Sequence, residues 1–368
     1  MNTTLHTYAA LDLHTTTSVL GSMDADGRWR GTRRMSTTAQ ALREAVAALG
    51  GAGVALTIEA STLSRWAAGI VRPLVGRLVV CEPRRNRLIA ANPNKHDEAD
   101  VEDLCLLLRL DKLQEVWLGS DPARQIHHEL VAELLNWRDA ARELKALLKA
   151  RYRQWGVLRV EGTGVFSPTR REDYLAQLPG EEQRRILRRL YTQHDATLGH
   201  WRDTLRELRR AAAGFWEIVE FQKVPGIGEV GAHVFSALIG EPGRFGSRQA
   251  LCKYARLAIT DRSSDGKPLS YQRLDRRGHH ELKTLSYHAW RTACKSTTRE
   301  NAIQAYYHAS RERTHDPRHA RLNTQRKILT TLWQMWLHRE PFEPARFSQT
   351  SDPPAKANGQ PAPAATPG

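Results

Sequence analysis

The chain has 368 residues, 55 Lys and Arg against 40 Asp and Glu, a formal net charge of +15 and an isoelectric point near 10.0. That length buries a full core in two or three domains, and the charge points to a polyanionic partner. Cys81, Cys105, Cys252 and Cys294 are scattered without CxxC spacing, which excludes a zinc ribbon and a disulfide framework, and no apolar run approaches a membrane span, so a cytoplasmic protein without a membrane partner is expected.

The charge is unevenly placed. Residues 1–120 hold 14 Lys and Arg against 13 Asp and Glu, which leaves 41 against 27 for residues 121–368. Catalysis in a nearly neutral front and nucleic-acid grip in a basic back is the simplest division of labour.

In chain order, Thr7 to Leu13, Ser18 to Met23 and Arg28 to Met35 read as a three-stranded meander, with Asp24 to Gly27 as a turn. Ala39 to Leu49 is an amphipathic helix with Ser36, Thr37 and Thr38 as candidate caps. Val54 to Ile58 is a buried strand ending at Glu59. Helix Leu63 to Leu74, strand Arg77 to Cys81 and a basic helix Arg84 to Ala91 follow. Lys95 to Leu108 is an acidic helix in which Asp97 and Asp100, three apart, share a face, with Val101, Leu104, Leu107 and Leu108 as the opposing apolar stripe. Paired carboxylates of this kind are tolerated when a cation lies between them, and hard oxygen ligands suit Mg²⁺ or Mn²⁺.

This order of elements resembles the ribonuclease-H fold, an α/β domain with a mixed sheet. In that fold the strand ends carrying Asp12 and Glu59 and the helix carrying Asp97 and Asp100 converge, and four such carboxylates hold two metal ions for phosphodiester chemistry. Glu98, Glu102 and Asp103 are read as solvated or supporting acids, with Asp103 as the substitute if the helix register shifts.

From Asp121 to Gln154, and again from Glu181 to Ile218, apolar residues recur at helical spacing among alternating charges. These two long helices, separated by Gly156 to Pro179, read as an antiparallel hairpin or coiled-coil arm, with Arg184, Arg185, Arg188 and Arg189 either solvated or facing phosphates. Val224 to Ala232, VPGIGEVGA, resembles a helix-hairpin-helix turn, where Gly226 and Gly228 let backbone N–H groups approach a phosphate. Farther on, Arg273, Arg276, Arg277 and Lys283 form a basic stretch suited to backbone contacts. Trp333, Trp336 and Tyr287 read as core.

Ile239 to Lys283, behind that turn and together with the acidic front, resembles a group of bacterial insertion-sequence transposases related to the Piv DNA invertases. The resemblance covers about residues 5 to 340. It implies a RuvC-like front domain with an Asp, Glu, Asp, Asp tetrad, matched by Asp12, Glu59, Asp97 and Asp100. It also implies a mostly α transposase domain in the back, with a serine after a Gly-Leu-x-Pro stretch. Here that stretch reads Arg256, Leu257, Ala258, Ile259, and alignment on Tyr254 and Lys267 places Ser264 on the nucleophile, with Ser263 the close second.

The resemblance further implies target and donor DNA as substrates, a structured guide RNA encoded by the element, and a homo-oligomer, dimer or tetramer, that assembles a composite site. The expected layout is a catalytic domain over 1–120, a helical arm over 121–218, a helical transposase domain over 219–345 and a Pro- and Ala-rich disordered tail over 346–368. Two other readings use the same residues. A nuclease of the Holliday-junction resolvase type uses the four acids with water as nucleophile, and an inactive nucleic-acid binder uses neither acids nor serine.

Overall fold

The computed structural model describes residues 5–82, 97–116, 118–119, 121–260, 263–264, 267–268, 273–295 and 299–348. The chain divides into two compact units, Met1–Leu118 and Gly119–Gly368. The first is an α/β unit built on a mixed five-stranded sheet, and the second is mostly helical.

In the first unit, β1 (Thr7–Leu13), β2 (Thr17–Asp24) and β3 (Trp29–Ser36) form the antiparallel meander. The Asp24 carboxylate accepts from the backbone N–H groups of Asp26 and Arg28, which closes the β2–β3 turn with Gly27 in the left-handed region at φ 87°. Helix α1 (Ala39–Ala47) starts where the Thr38 hydroxyl accepts from the Ala41 N–H. It returns the chain to β4 (Val54–Glu59), parallel to β1. Helix α2 (Ser64–Val71) ends earlier than its apolar pattern predicts, because Pro73 turns the next residues into a short 3-10 turn. Strand β5 (Arg77–Cys81) then pairs parallel to β4, giving the order β3-β2-β1-β4-β5. The basic helix expected at Arg84 to Ala91 lies outside the described residues.

The sheet is covered on both faces, which is why VALTI reads as an unbroken apolar run. Leu11, Leu20, Leu56 and Ile58 pack with Leu42 and Val46 of α1 and Ala67 and Val71 of α2. The alternate residues Ala10 and Val19, with Cys81, pack with Val101, Leu104 and Cys105 of α3 (Asp97–Arg109). Contact between α3 and the sheet is close at Gly21. A Cβ there would stand 2.4 Å from the Trp29 ring and 2.5 Å from Val101 Cγ1, so only glycine admits the helix at this distance. The Cys105 thiol donates to the Gly21 carbonyl at 3.6 Å.

The second unit opens with α4 (Pro122–Gln154), capped by the Asp121 carboxylate on the Ala123 N–H and begun by Pro122 at its first position. Helix α5 (Glu181–Ala211) packs along it. The second arm segment was expected to run on to Ile218. It instead breaks after Ala211, and α6 (Trp216–Phe221) is a separate helix. At the far end of the arm, Leu148, Tyr152, Val165, Leu187 and Tyr191 form their own small core. Arg184, Arg185 and Arg188 are ion-paired within the arm, to Glu181, Glu182 and Glu172.

After α6 come α7 (Glu229–Ile239) and α8 (Arg248–Tyr254), then four two-residue strands: β6 (Ile259–Thr260), β7 (Ser263–Ser264), β8 (Lys267–Pro268) and β9 (Arg273–Leu274). Helices α9 (His280–Ala293), α10 (Ala302–Thr314) and α11 (Pro317–His338) complete the layer. Helix α11 begins where Asp316 caps it and Pro317 takes its first position. Trp333 and Trp336 are buried in the main core with Phe221 and Phe235, as expected. Tyr287 is half-buried and lines a groove instead. A polar network crosses this core. Arg124 donates to Glu217 at 2.8 Å, the Ser236 hydroxyl donates to the same oxygen, and the rings of His127 and His233 meet at 3.0 Å. No helix among the described residues is long and apolar enough to cross a membrane.

Candidate functional site

Asp12 and Glu59 stand side by side. Leu11 pairs with Ile58 in the parallel β1–β4 ladder, so the next residue of each strand lies one step on, with neighbouring strands about 4.8 Å apart. Equivalent positions on adjacent strands project to the same side. That side is the one covered by α3, since Ala10, two residues before Asp12, packs against Val101 and Cys105. Both acids therefore sit at the C-terminal ends of the two central strands.

Helix α3 runs antiparallel to β1. Its last residue, Arg109, donates to Ala25 O in the β2–β3 turn beyond the start of β1, while Cys105 sits over Gly21, the partner of Ala10. Five residues back from Cys105 is Asp100, a rise of about 7.5 Å. Two residues on from Ala10 is Asp12, an advance of about 6.6 Å. The first turn of α3 thus reaches the level of Asp12. Positions 97 and 100 precede the buried Val101 and Leu104 by four residues each, so on the helix they lie in line with the buried stripe and not opposite it. The Asp97 side chain lies outside the described part of the structure.

The Asp12 carboxylate is partly exposed and meets the His14 Nε2 at 3.0 Å, a partner that sequence reading missed although it lies only two residues away. Glu59 and Asp100 are half-buried, and Glu98 and Glu102 are exposed. Burial, reinforced by the Asp100 charge, pushes the Asp103 carboxyl above the usual carboxylate range. Among the described residues no three His, Cys, Asp or Glu side chains gather into a metal-binding cluster.

Ser264 and Ser263 lie on β7, opposite Lys267 and Pro268 of β8. Their side chains are outside the described part. The base of this excursion is well fixed. Ile259 pairs with Leu274 and Thr260 with Arg273, and Asp275 N donates to Ala258 O at 2.8 Å. Arg326 of α11 donates from Nε and Nη2 to Leu257 O at 2.9 and 2.6 Å. Arg256 stands where the transposase pattern has glycine, and its φ of 56° explains that glycine: residue 256 closes α8 in the left-handed region. Its guanidinium donates to Gly278 O at 2.6 Å, which ties the two ends of the excursion together.

The expected nucleic-acid contacts divide. Arg277 is held by the nearly buried Asp275, whose carboxyl it pulls below the usual range, and Arg138 forms a two-pronged pair with Glu281. Arg273 and Arg276 are exposed, and Lys283 lines a groove between α9 and α11. Gly226 has φ 84°, and a Cβ there would lie 2.2 Å from Ala289 O, so this glycine is required by packing on α9. Gly228 precedes α7 with open space beside it. The supporting residues Arg326 and Arg138 went unseen because a lone charge in an amphipathic helix looks the same solvated or paired, and Asp275 because it follows a strand of only two residues.

No curated protein matches the chain. Residues 220–308, from the end of α6 through the serine-bearing excursion to the middle of α10, match the Transposase IS116/IS110/IS902 family. That match supports an insertion-sequence transposase acting on DNA.

Proposed function

We propose that the chain cuts and rejoins target and donor DNA as a transposase or site-specific recombinase, using a carboxylate-held divalent ion and a serine nucleophile. The observation that carries the reading is the transposase match across the segment holding Ser264. The sheet order β3-β2-β1-β4-β5, with Asp12 and Glu59 on one side of its central strands, supports a RuvC-like front unit.

The donor set fits Mg²⁺ or Mn²⁺: Asp12, Glu59, Asp97 and Asp100 offer only hard oxygens and no thiolate. When bound, the ion supplies Lewis-acid polarisation of the phosphodiester oxygens. Asp12, Glu59, Asp97 and Asp100 are the residues that would hold it. The Ser264 Oγ attacks phosphorus, the bond from phosphorus to the 3′-oxygen breaks, and the 3′-hydroxyl leaves with the serine's proton. The 5′-phosphate stays on the serine until a second 3′-hydroxyl attacks and releases it, so no bond energy is lost. By its resemblance to the Piv-related group, the protein works as a cytoplasmic homo-oligomer with a structured guide RNA.

Trapping tests this. With labelled donor and target DNA and Mg²⁺, the wild-type chain forms a covalent protein–DNA adduct that Ser264→Ala removes. Cleavage that survives Ser264→Ala but not Asp97→Ala makes the protein a nuclease with water as nucleophile. Binding without cleavage by the wild type rules out both chemistries.

A further inference from the structure

Helices α9 and α11 face each other with complementary stripes. His280, Lys283 and Tyr287 recur at helical spacing on α9, and Arg318, Arg321 and Gln325 do so on α11. Together they line an open groove. Gln325 is buried and fixes its floor, donating to the Ser286 hydroxyl at 3.1 Å and to Lys283 O at 3.4 Å. The Arg321 guanidinium lies 5.7 Å from the ring centres of both Tyr287 and Trp290, so its position is set by aromatic faces.

No carboxylate lines the groove among the described residues. The acids near its lining residues in sequence are engaged elsewhere: Asp275 binds Arg277, Glu281 binds Arg138 and touches His280 at 3.6 Å, and the Asp316 carboxylate caps α11 on the Arg318 N–H. Other arginines of this unit, among them Arg124, Arg138, Arg209 and Arg277, have a carboxylate partner. Lys283, Arg318 and Arg321 do not, among the described residues. Three cations along two facing helices, with nothing acidic between them, repel one another unless an anion lies there.

We propose that this groove binds a nucleic-acid phosphate backbone and leads it to the serine-bearing excursion. Two features favour an extended polymer over a single phosphate. The cations are spread along two helix faces, at steps of about 5 Å per turn, and do not converge on one point. Leu274 also belongs to both structures: it lines the groove and pairs with Ile259 at the base of the excursion. A strand lying in the groove reaches the base of the excursion at Leu274. The inference rests on the DNA-acting reading and joins Lys283 of the basic stretch to Arg318 and Arg321 of α11, a grip that neither the transposase match nor that stretch identifies.

The test is salt-dependent binding by the full chain, measured by fluorescence anisotropy with labelled duplex DNA, single-stranded DNA and a structured RNA. The wild type is compared with Lys283→Gln/Arg318→Gln and with the charge-conserving Lys283→Arg/Arg318→Lys. Each lost phosphate contact lowers the slope of log affinity against log salt by about 0.9 on duplex and about 0.7 on single strands. The neutral pair is therefore expected to lose about 1.8 from the duplex slope, or about 1.4 from the single-strand slope, while the charge-conserving pair keeps the slope and thermal melting confirms that both fold. The polymer that shows the drop is the one the groove holds. An unchanged slope on all three polymers, with the wild type binding them, overturns the groove but leaves the DNA-acting reading standing. Loss of inorganic phosphate binding without any change for the polymers also overturns it. Failure of the wild type to bind any polymer removes the DNA-acting reading itself.

Discussion

Adding one methyl group at Gly21 tests whether the sheet and α3 are held as close as the carboxylate site requires. An alanine Cβ would stand 2.5 Å from Val101 Cγ1 and 2.4 Å from the Trp29 ring, against an ordinary contact of 3.4–4 Å. About 1 Å must be found. Neither neighbour yields it freely, because Val101 is fully buried and branched at Cβ, so α3 must move away from the sheet. Overpacking of this size costs about 1–3 kcal/mol, and misplacing catalytic groups by about 1 Å costs on the order of a hundredfold in rate. Gly21→Ala is thus expected to lower stability to urea by that amount and to reduce DNA cleavage by more than the unfolded fraction explains. Val101→Ala, which removes one of the two clashing groups, should recover part of both losses when combined with it. Wild-type stability and activity in Gly21→Ala would refute the close approach on which the site depends.

Other consequences follow from the second unit. His127 and His233 are buried and mutually in contact; burial first, then the His233 ring and the Arg124 charge, depress the His127 pKa from 6.5 to about 3, and burial depresses that of His233. Both are neutral in the folded protein and take up protons on unfolding. Between about pH 6.5 and 3 the unfolded chain binds a proton at His127 that the folded chain does not, so stability falls with pH through that window by up to about 1.4 kcal/mol per pH unit from this group; melting temperatures across this range should show a fall that His127→Phe reduces. Arg256→Gly relieves a left-handed backbone at the cost of one hydrogen bond and should change stability by less than about 1 kcal/mol, whereas Arg256→Val should destabilise clearly in a urea titration. Arg188→Ala removes only exposed ion pairs and should leave the urea midpoint unmoved.

The front unit was readable because each element carries its own signal. The meander is punctuated by Asp24 and Gly27, the two parallel strands are apolar runs, and Asp12 and Glu59 stand at strand ends where adjacent register brings them together. The back unit hid more. Two-residue ladders such as β6–β9 are too short for alternation to register, so the scaffold around Ser264 left no pattern. Asp316 and Pro317 are a cap and first-position signal for α11 that apolar periodicity by itself does not register. The break between α5 and α6 falls in a run of three alanines and Gly214, where helical periodicity has nothing to interrupt. Whether Arg184, Arg185 and Arg188 reach solvent phosphates or nearby glutamates is decided by neighbours one and two turns away and on the preceding segment, which charge counting cannot see.

The most direct test of the central claim is Mn²⁺ binding followed by electron paramagnetic resonance. If Asp12, Glu59, Asp97 and Asp100 meet at one edge of the sheet, the wild-type chain binds Mn²⁺ and each of Asp12→Asn, Glu59→Gln and Asp100→Asn weakens that binding without unfolding the front unit. Mn²⁺ binding that is indifferent to all three substitutions would contradict a shared metal site.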